Sequence, residues 1–88
     1  MTVSEDTVRL QNMGGNLAVI VGLDNDRELG ELTAVSSSPD DVSVRREVIE
    51  GVTTRALFVL RSISPKAGVY QVRFEMPCGS REIAVRVR

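Results

Sequence analysis

Histidine and tryptophan are absent from this 88-residue chain, cysteine occurs once, and aromatic residues make up 3% of it. Each absence excludes something. Without histidine, acid or base catalysis near neutral pH would need a retuned carboxyl, lysine or thiol, and the commonest zinc ligand is missing. With Cys78 alone, no disulfide can close within the chain and no cysteine-only metal site can form, so the core must hold by packing. No apolar run exceeds the seven residues 17–23, far short of the ~20 that a membrane-spanning helix needs. The opening Met1-Thr2-Val3-Ser4-Glu5-Asp6 is polar and acidic, unlike the basic start and apolar stretch of a secretory signal. We therefore expect one domain of a longer exported chain, extracellular or at the cell surface, with a cytoplasmic protein as the alternative.

What is present fits a folded, soluble domain: 42% apolar residues, 26% charged and a net charge of −1, too much Leu, Ile, Val and Phe for intrinsic disorder. A single core organises about 100 to 200 residues, so the length allows one domain. It spans 1–88, with residues 1–6 as a flexible linker. Charge is divided unevenly along the chain: residues 1–44 carry eight acids against Arg9 and Arg27, and residues 45–88 carry nine bases against four acids. Interleaving of strands from the two halves is expected to smear this asymmetry. The bases are spread along alternating strand positions rather than clustered, which argues against nucleic acid as a partner.

No stretch repeats apolar residues at helical spacing for three turns, whereas alternation runs almost throughout, so the chain is all-β. Val8 and Leu10 alternate ahead of a turn at Met13-Gly14-Gly15. Residues 17–23 follow, apolar on both faces as in mid-sheet. Weaker strands are expected over 32–37 and from Val42, on either side of the turn-forming Ser38-Pro39-Asp40-Asp41. Residues 55–63 form a strand with Phe58, Leu60 and then Ile63 inward. Tyr70, Val72, Phe74 and Met76 alternate with polar residues, as do Ile83, Val85 and Val87. If Cys78-Gly79 is the hairpin turn, Phe74 lies opposite Ile83, Val72 opposite Val85, Tyr70 opposite Val87, and Glu75 faces Glu82. About seven short strands with no covering helix predict an antiparallel β-sandwich.

Two segments carry a family resemblance. Val35-Ser36-Ser37-Ser38-Pro39-Asp40-Asp41-Val42-Ser43-Val44, with Ile49-Glu50-Gly51-Val52-Thr53-Thr54-Arg55-Ala56, resembles the Ser-Ser-x-Pro, Val-x-Val and Gly-x-Thr-x-Ala succession of bacterial immunoglobulin-like domains. The passage from Phe58-Val59-Leu60-Arg61-Ser62-Ile63 to Gly68-Val69-Tyr70-Gln71-Val72 is similar to strand E, the corner and strand F of immunoglobulin folds, where such a Tyr forms a tyrosine corner. The resemblance implies an immunoglobulin-like sandwich, repeated as a module in large surface or secreted proteins. It departs from the antibody type in Val72, where the second Cys would stand, and in Lys66, where an Asp is usual.

Asp24, Asp26, Asp40 and Asp41 form the one constellation that suggests a ligand, since calcium takes six to eight oxygens. The alternative for them is a set of solvated turns in which Asp bonds its own backbone. Cys78 has no histidine to activate it, and Glu75 and Glu82 sit among arginines that would screen them. Phe58, Tyr70 and Phe74 fall on inward phases, leaving no aromatic platform for sugar. The expected function is thus a non-catalytic spacer or interaction module without cofactor, monomeric, meeting neighbouring domains or a protein partner, with no nucleic acid and no membrane insertion. The runner-up is a calcium- or carbohydrate-binding module of a secreted enzyme or adhesin.

Overall fold

The computed structural model describes residues 1–23, 27–47, 49–77 and 79–88. These residues form eight strands: β1 Thr2–Val3, β2 Thr7–Leu10, β3 Asn16–Gly22, β4 Thr33–Ser36, β5 Val42–Glu47, β6 Arg55–Ser62, β7 Gly68–Met76 and β8 Gly79–Val87. They build two four-stranded sheets, ordered β1-β3-β6-β5 and β2-β8-β7-β4. With β1 and β2 taken as two halves of one first strand divided between the sheets, the order of the remaining strands corresponds to the ABED and GFC sheets of a β-sandwich. The split explains the eighth strand. Ser4 donates its backbone N–H to the Ile20 carbonyl at 2.9 Å, after which the chain crosses through Glu5 and Asp6 to the other sheet. There β2 pairs with β8 in parallel, Thr7 beside Ala84 through Leu10 beside Val87, the one parallel pair among the described strands.

Alternation places the core between the sheets. Val19 and Val21 of β3 and Ala56, Phe58 and Leu60 of β6 face Val8 and Leu10 of β2, Val72 and Phe74 of β7, and Ile83, Val85 and Val87 of β8, all buried. Each such aliphatic or Phe side chain contributes about 1.5–3 kcal/mol when fully buried, which is how a domain without a disulfide stays folded. The inward position after Leu60 belongs to Ser62, fully buried, and not to Ile63, which lies beyond β6 and is 45% exposed. Tyr70 and Met76, expected in the core, are half-buried at its margin. Val35 and Ile20 turn outward and are exposed.

The β7–β8 hairpin differs from expectation by two residues. Phe74 lies opposite Arg81, Val72 opposite Ile83, Tyr70 opposite Val85 and Met76 opposite Gly79, so Gly79, expected in the turn, begins β8 instead. An even slip keeps every side chain on its own face, so apolar alternation cannot detect it. Its effect is electrostatic. Glu75 and Glu82 do not face each other; Arg73 stands opposite Glu82 and lies 3.6 Å from Glu75 and 3.8 Å from Glu82.

Candidate functional site

Strand directions define two poles. β1 begins beside Gly22, which pairs with Arg55, and β8 ends beside Leu10 and Gly68. Between the poles lies the length of β6, eight residues or about 26 Å at a strand's rise per residue. The polypeptide therefore enters at one pole and leaves at the other, along the longest dimension of a body measuring 38 × 24 × 18 Å.

Three hydrogen-bonded devices shape the exit pole. In the β2–β3 turn, Gly15 donates its N–H to the Gln11 carbonyl at 3.1 Å, and an added Cβ there would stand 2.4 Å from that oxygen. Only glycine fits so close an approach. The turn is pinned to the end of β6 because Gly14 N–H bonds the Ser62 carbonyl at 2.8 Å, Ser62 N–H bonds the Gly15 carbonyl at 2.9 Å, and the buried Ser62 hydroxyl bonds the Gln11 carbonyl. In the β6–β7 corner, the Tyr70 hydroxyl donates to the Lys66 carbonyl at 3.0 Å, the tyrosine corner implied by the resemblance.

Asp41 is the third device. Its carboxylate accepts the Ser38 hydroxyl at 2.6 Å and the Ser64 hydroxyl at 2.7 Å, tying the β4–β5 turn to the β6–β7 corner. The Ser38 bond, then the Ser64 bond, and after them the charge of Lys66 hold its pKa below the ordinary 3.8, because each favours the ionised form. Asp40 beside it is exposed. The chain around the other two calcium candidates lies at the entry pole, where Leu29 N–H bonds the Thr53 carbonyl at 2.9 Å. Asp24 and Asp26 themselves fall outside the described residues, as does Cys78. Both Asp41 oxygens are thus engaged by the fold. Ser38 stood in the turn read from the sequence, whereas sequence reasoning missed the roles of Ser62 and Ser64, because their partners lie 51 and 23 residues away and only the sheet order brings them near.

The outer face of the second sheet carries the most distinctive charge arrangement. The parallel register sets Arg9 beside Arg86, and the antiparallel one sets Val69 on the other side of Arg86. Together with Arg88, Gly68 and Val87 they line a groove of about 280 Å³, with Val69 57% exposed. Among the described residues, none of these three arginines has an acid within ion-pair distance. Arg45, Arg73 and Arg81 all have one. Proximity of Arg9 to Arg86 was not legible in the sequence, since it depends on the parallel pair.

No protein-family model matches the chain, and neither does any curated protein. Solved structures do. The chain is similar to a crystal structure of the S-layer protein SbsC comprising domains 4 and 5, with a TM-score of 0.80 and 12% identity over 98% of this chain and 49% of that one. It is also similar to a structure of domains 1–6 of SbsC, with a TM-score of 0.79 and 13% identity over 98% of this chain, and to the longer piece rSbsC(31-844), with a TM-score of 0.79 and 12% identity over 99%. In each of those two longer chains the match covers 12% of the length. At such identities the likeness is one of fold: the chain is an all-β sandwich similar to part of a surface-layer protein.

Proposed function

We propose that this chain is a non-catalytic structural module of the bacterial immunoglobulin-like type, one bead in a longer, surface-displayed protein, whose partners are the domains before and after it. The observation that carries this reading is the path of the polypeptide, in at one pole and out at the other, which lets successive modules follow one another along a line. The likeness of nearly the whole chain to 12% of each of two longer chains of a surface-layer protein supports it. The use made of Asp41 supports it too: the Ser38 and Ser64 hydroxyls that hold its carboxyl below the ordinary pKa also hold two turns together, a structural use of a perturbed group.

Small-angle scattering from one, two and three copies joined in tandem tests the reading. The longest dimension is expected to grow by about one module length, 38 Å, with each copy. Copies that fold back into a compact body, with that dimension scarcely rising from two to three, would overturn it.

A further inference from the structure

We infer that the exit pole is a docking surface for the entry pole of a second copy, held by charge. This deepens the module reading above and rests on it. The strand order does not smear the charge asymmetry of the sequence; it re-sorts it along the long axis. Among the described residues only Asp40 and Asp41 are acids of the exit pole, and Asp41 is engaged by Ser38 and Ser64. Lys66, Arg9, Arg86 and Arg88 are exposed there. At the entry pole Glu28, Glu31 and Glu50 stand exposed on the β3–β4 and β5–β6 connections, Glu28 also accepting a bond from the Thr53 hydroxyl at 3.4 Å. Of the arginines of that end, Arg81 is held by Asp6, and Arg27 and Arg55 have partners of their own.

Arg9 beside Arg86 is the second, independent observation. Like charges directly opposite on neighbouring strands destabilise a sheet, and among the described residues no acid relieves this pair. A carboxylate from outside removes the repulsion and gains charge-assisted bonds to planar guanidiniums. The groove between Arg86 and Arg88, with Val69 on its wall, suits a glutamate side chain, whose methylenes lie on the valine while its oxygens reach the arginines. A neighbouring copy presents such groups in the right direction, because its acidic pole is the one that follows along the chain. The contact is weak between separate molecules and is populated when linkage raises the effective concentration to the millimolar range.

The test uses isotopically labelled single chain at about 1 mM, the effective concentration of linked modules. Amide shifts are compared with those of a dilute sample, at about 0.01 M salt, where charges act over roughly 30 Å, and at about 1 M, where they act over roughly 3 Å. Concentration-dependent shifts are expected at both poles, around Val69 and Arg86 and around Glu28 and Glu31, in low salt only. Arg86→Glu with Arg88→Glu should abolish them, and mixing that variant with a Glu28→Arg, Glu31→Arg copy should restore them. Arg86→Gln, a milder change at an exposed site, should reduce them if the double variant does not fold. Absence of such shifts in low salt, their persistence in high salt, or their appearance on the sheet faces away from the poles would overturn the proposal. A tandem that lengthens with each copy but shows none of these shifts would leave the spacer standing and remove the docking.

Discussion

Phe58 of β6 and Phe74 of β7 meet between the two sheets, their ring centroids 5.1 Å apart and their planes at 57°. They are the only two phenylalanines in the chain, and both are almost wholly buried. With no disulfide and no tryptophan available, this pair joins the sheets at mid-core, and tilted aromatic contacts contribute about 0.5–1.5 kcal/mol beyond the area they bury.

Phe74→Ala is accordingly expected to lower stability by about 3–5 kcal/mol, as large-to-small core truncations do. Combined with Phe58→Ala, the loss should fall short of the two single losses added together, since each truncation already removes the contact. Chemical denaturation of the four proteins checks this, and strict additivity would mean that the rings act independently.

Tyr70→Phe removes one hydrogen bond, to the Lys66 carbonyl, and leaves the ring in place. The expected loss is about 1 kcal/mol, the net worth of one such bond. It should be read as a lower denaturation midpoint with an unchanged slope; no change in the midpoint would show that solvent serves the carbonyl as well as the hydroxyl does.

Asp41 gives the domain an acid-sensitive latch. Its folded pKa lies below the ordinary 3.8, so its contribution is fully present above the unfolded value and is lost as pH falls through the folded one. Asp41→Asn should therefore flatten the fall in stability below about pH 4. Ser64→Ala should raise the carboxyl's titration midpoint toward its ordinary value, followed by NMR. A midpoint unmoved in Ser64→Ala would refute the hydroxyl as a cause.

Gly15→Ala should destabilise by about 1–3 kcal/mol, the usual cost of forcing atoms into filled space, because its methyl would meet the Gln11 backbone. Gly30→Ala, where a Cβ meets nothing within 4 Å, is the control and should stay within about 0.5 kcal/mol of the parent. Thermal unfolding of both variants decides whether the tight turn or glycine content in general matters.

Calcium, with its need for six to eight oxygens, would have to share Asp41 with Ser38 and Ser64, whose hydroxyls already bond both of its oxygens. Titration with the ion is expected to leave the amide signals of residues 38–41 and 64 in place and to release no heat. Movement of those signals would revive the ligand-binding module as the better reading.

Alternation along Tyr70, Val72, Phe74 and Met76, and along Ile83, Val85 and Val87, was enough to read the strands, their inward faces and the sandwich. It could not read the hairpin register, because a two-residue slip leaves the faces unchanged. Nor could it read the parallel neighbour of β2, because local pattern carries no information about which distant strand lies alongside. The tyrosine corner was implied by the family resemblance around Gly68-Val69-Tyr70, and the Tyr70–Lys66 bond forms it. The Asp41 latch was half legible: the turn residue Ser38 was in view, while Ser64 arrives from another corner. The Arg9–Arg86 pair was invisible for the same reason as the parallel register that creates it.

That parallel register also decides how the domain would bear a load. Tension applied through the two chain ends draws β2 toward the entry pole and β8 toward the exit pole, the two strands sliding along each other lengthwise. The rungs from Thr7–Ala84 to Leu10–Val87 then resist together, in shear, instead of parting one at a time as in a hairpin opened from its ends. Pulling single molecules through their termini should therefore give one abrupt rupture, lowered by a proline at Val8. That residue lies on the same side of β2 as Asp6 and Leu10, which accept from Ala84 and Arg88 of the β8 side, and so would lose a rung. A strand of only four residues would thus set the mechanical strength of every bead in the string.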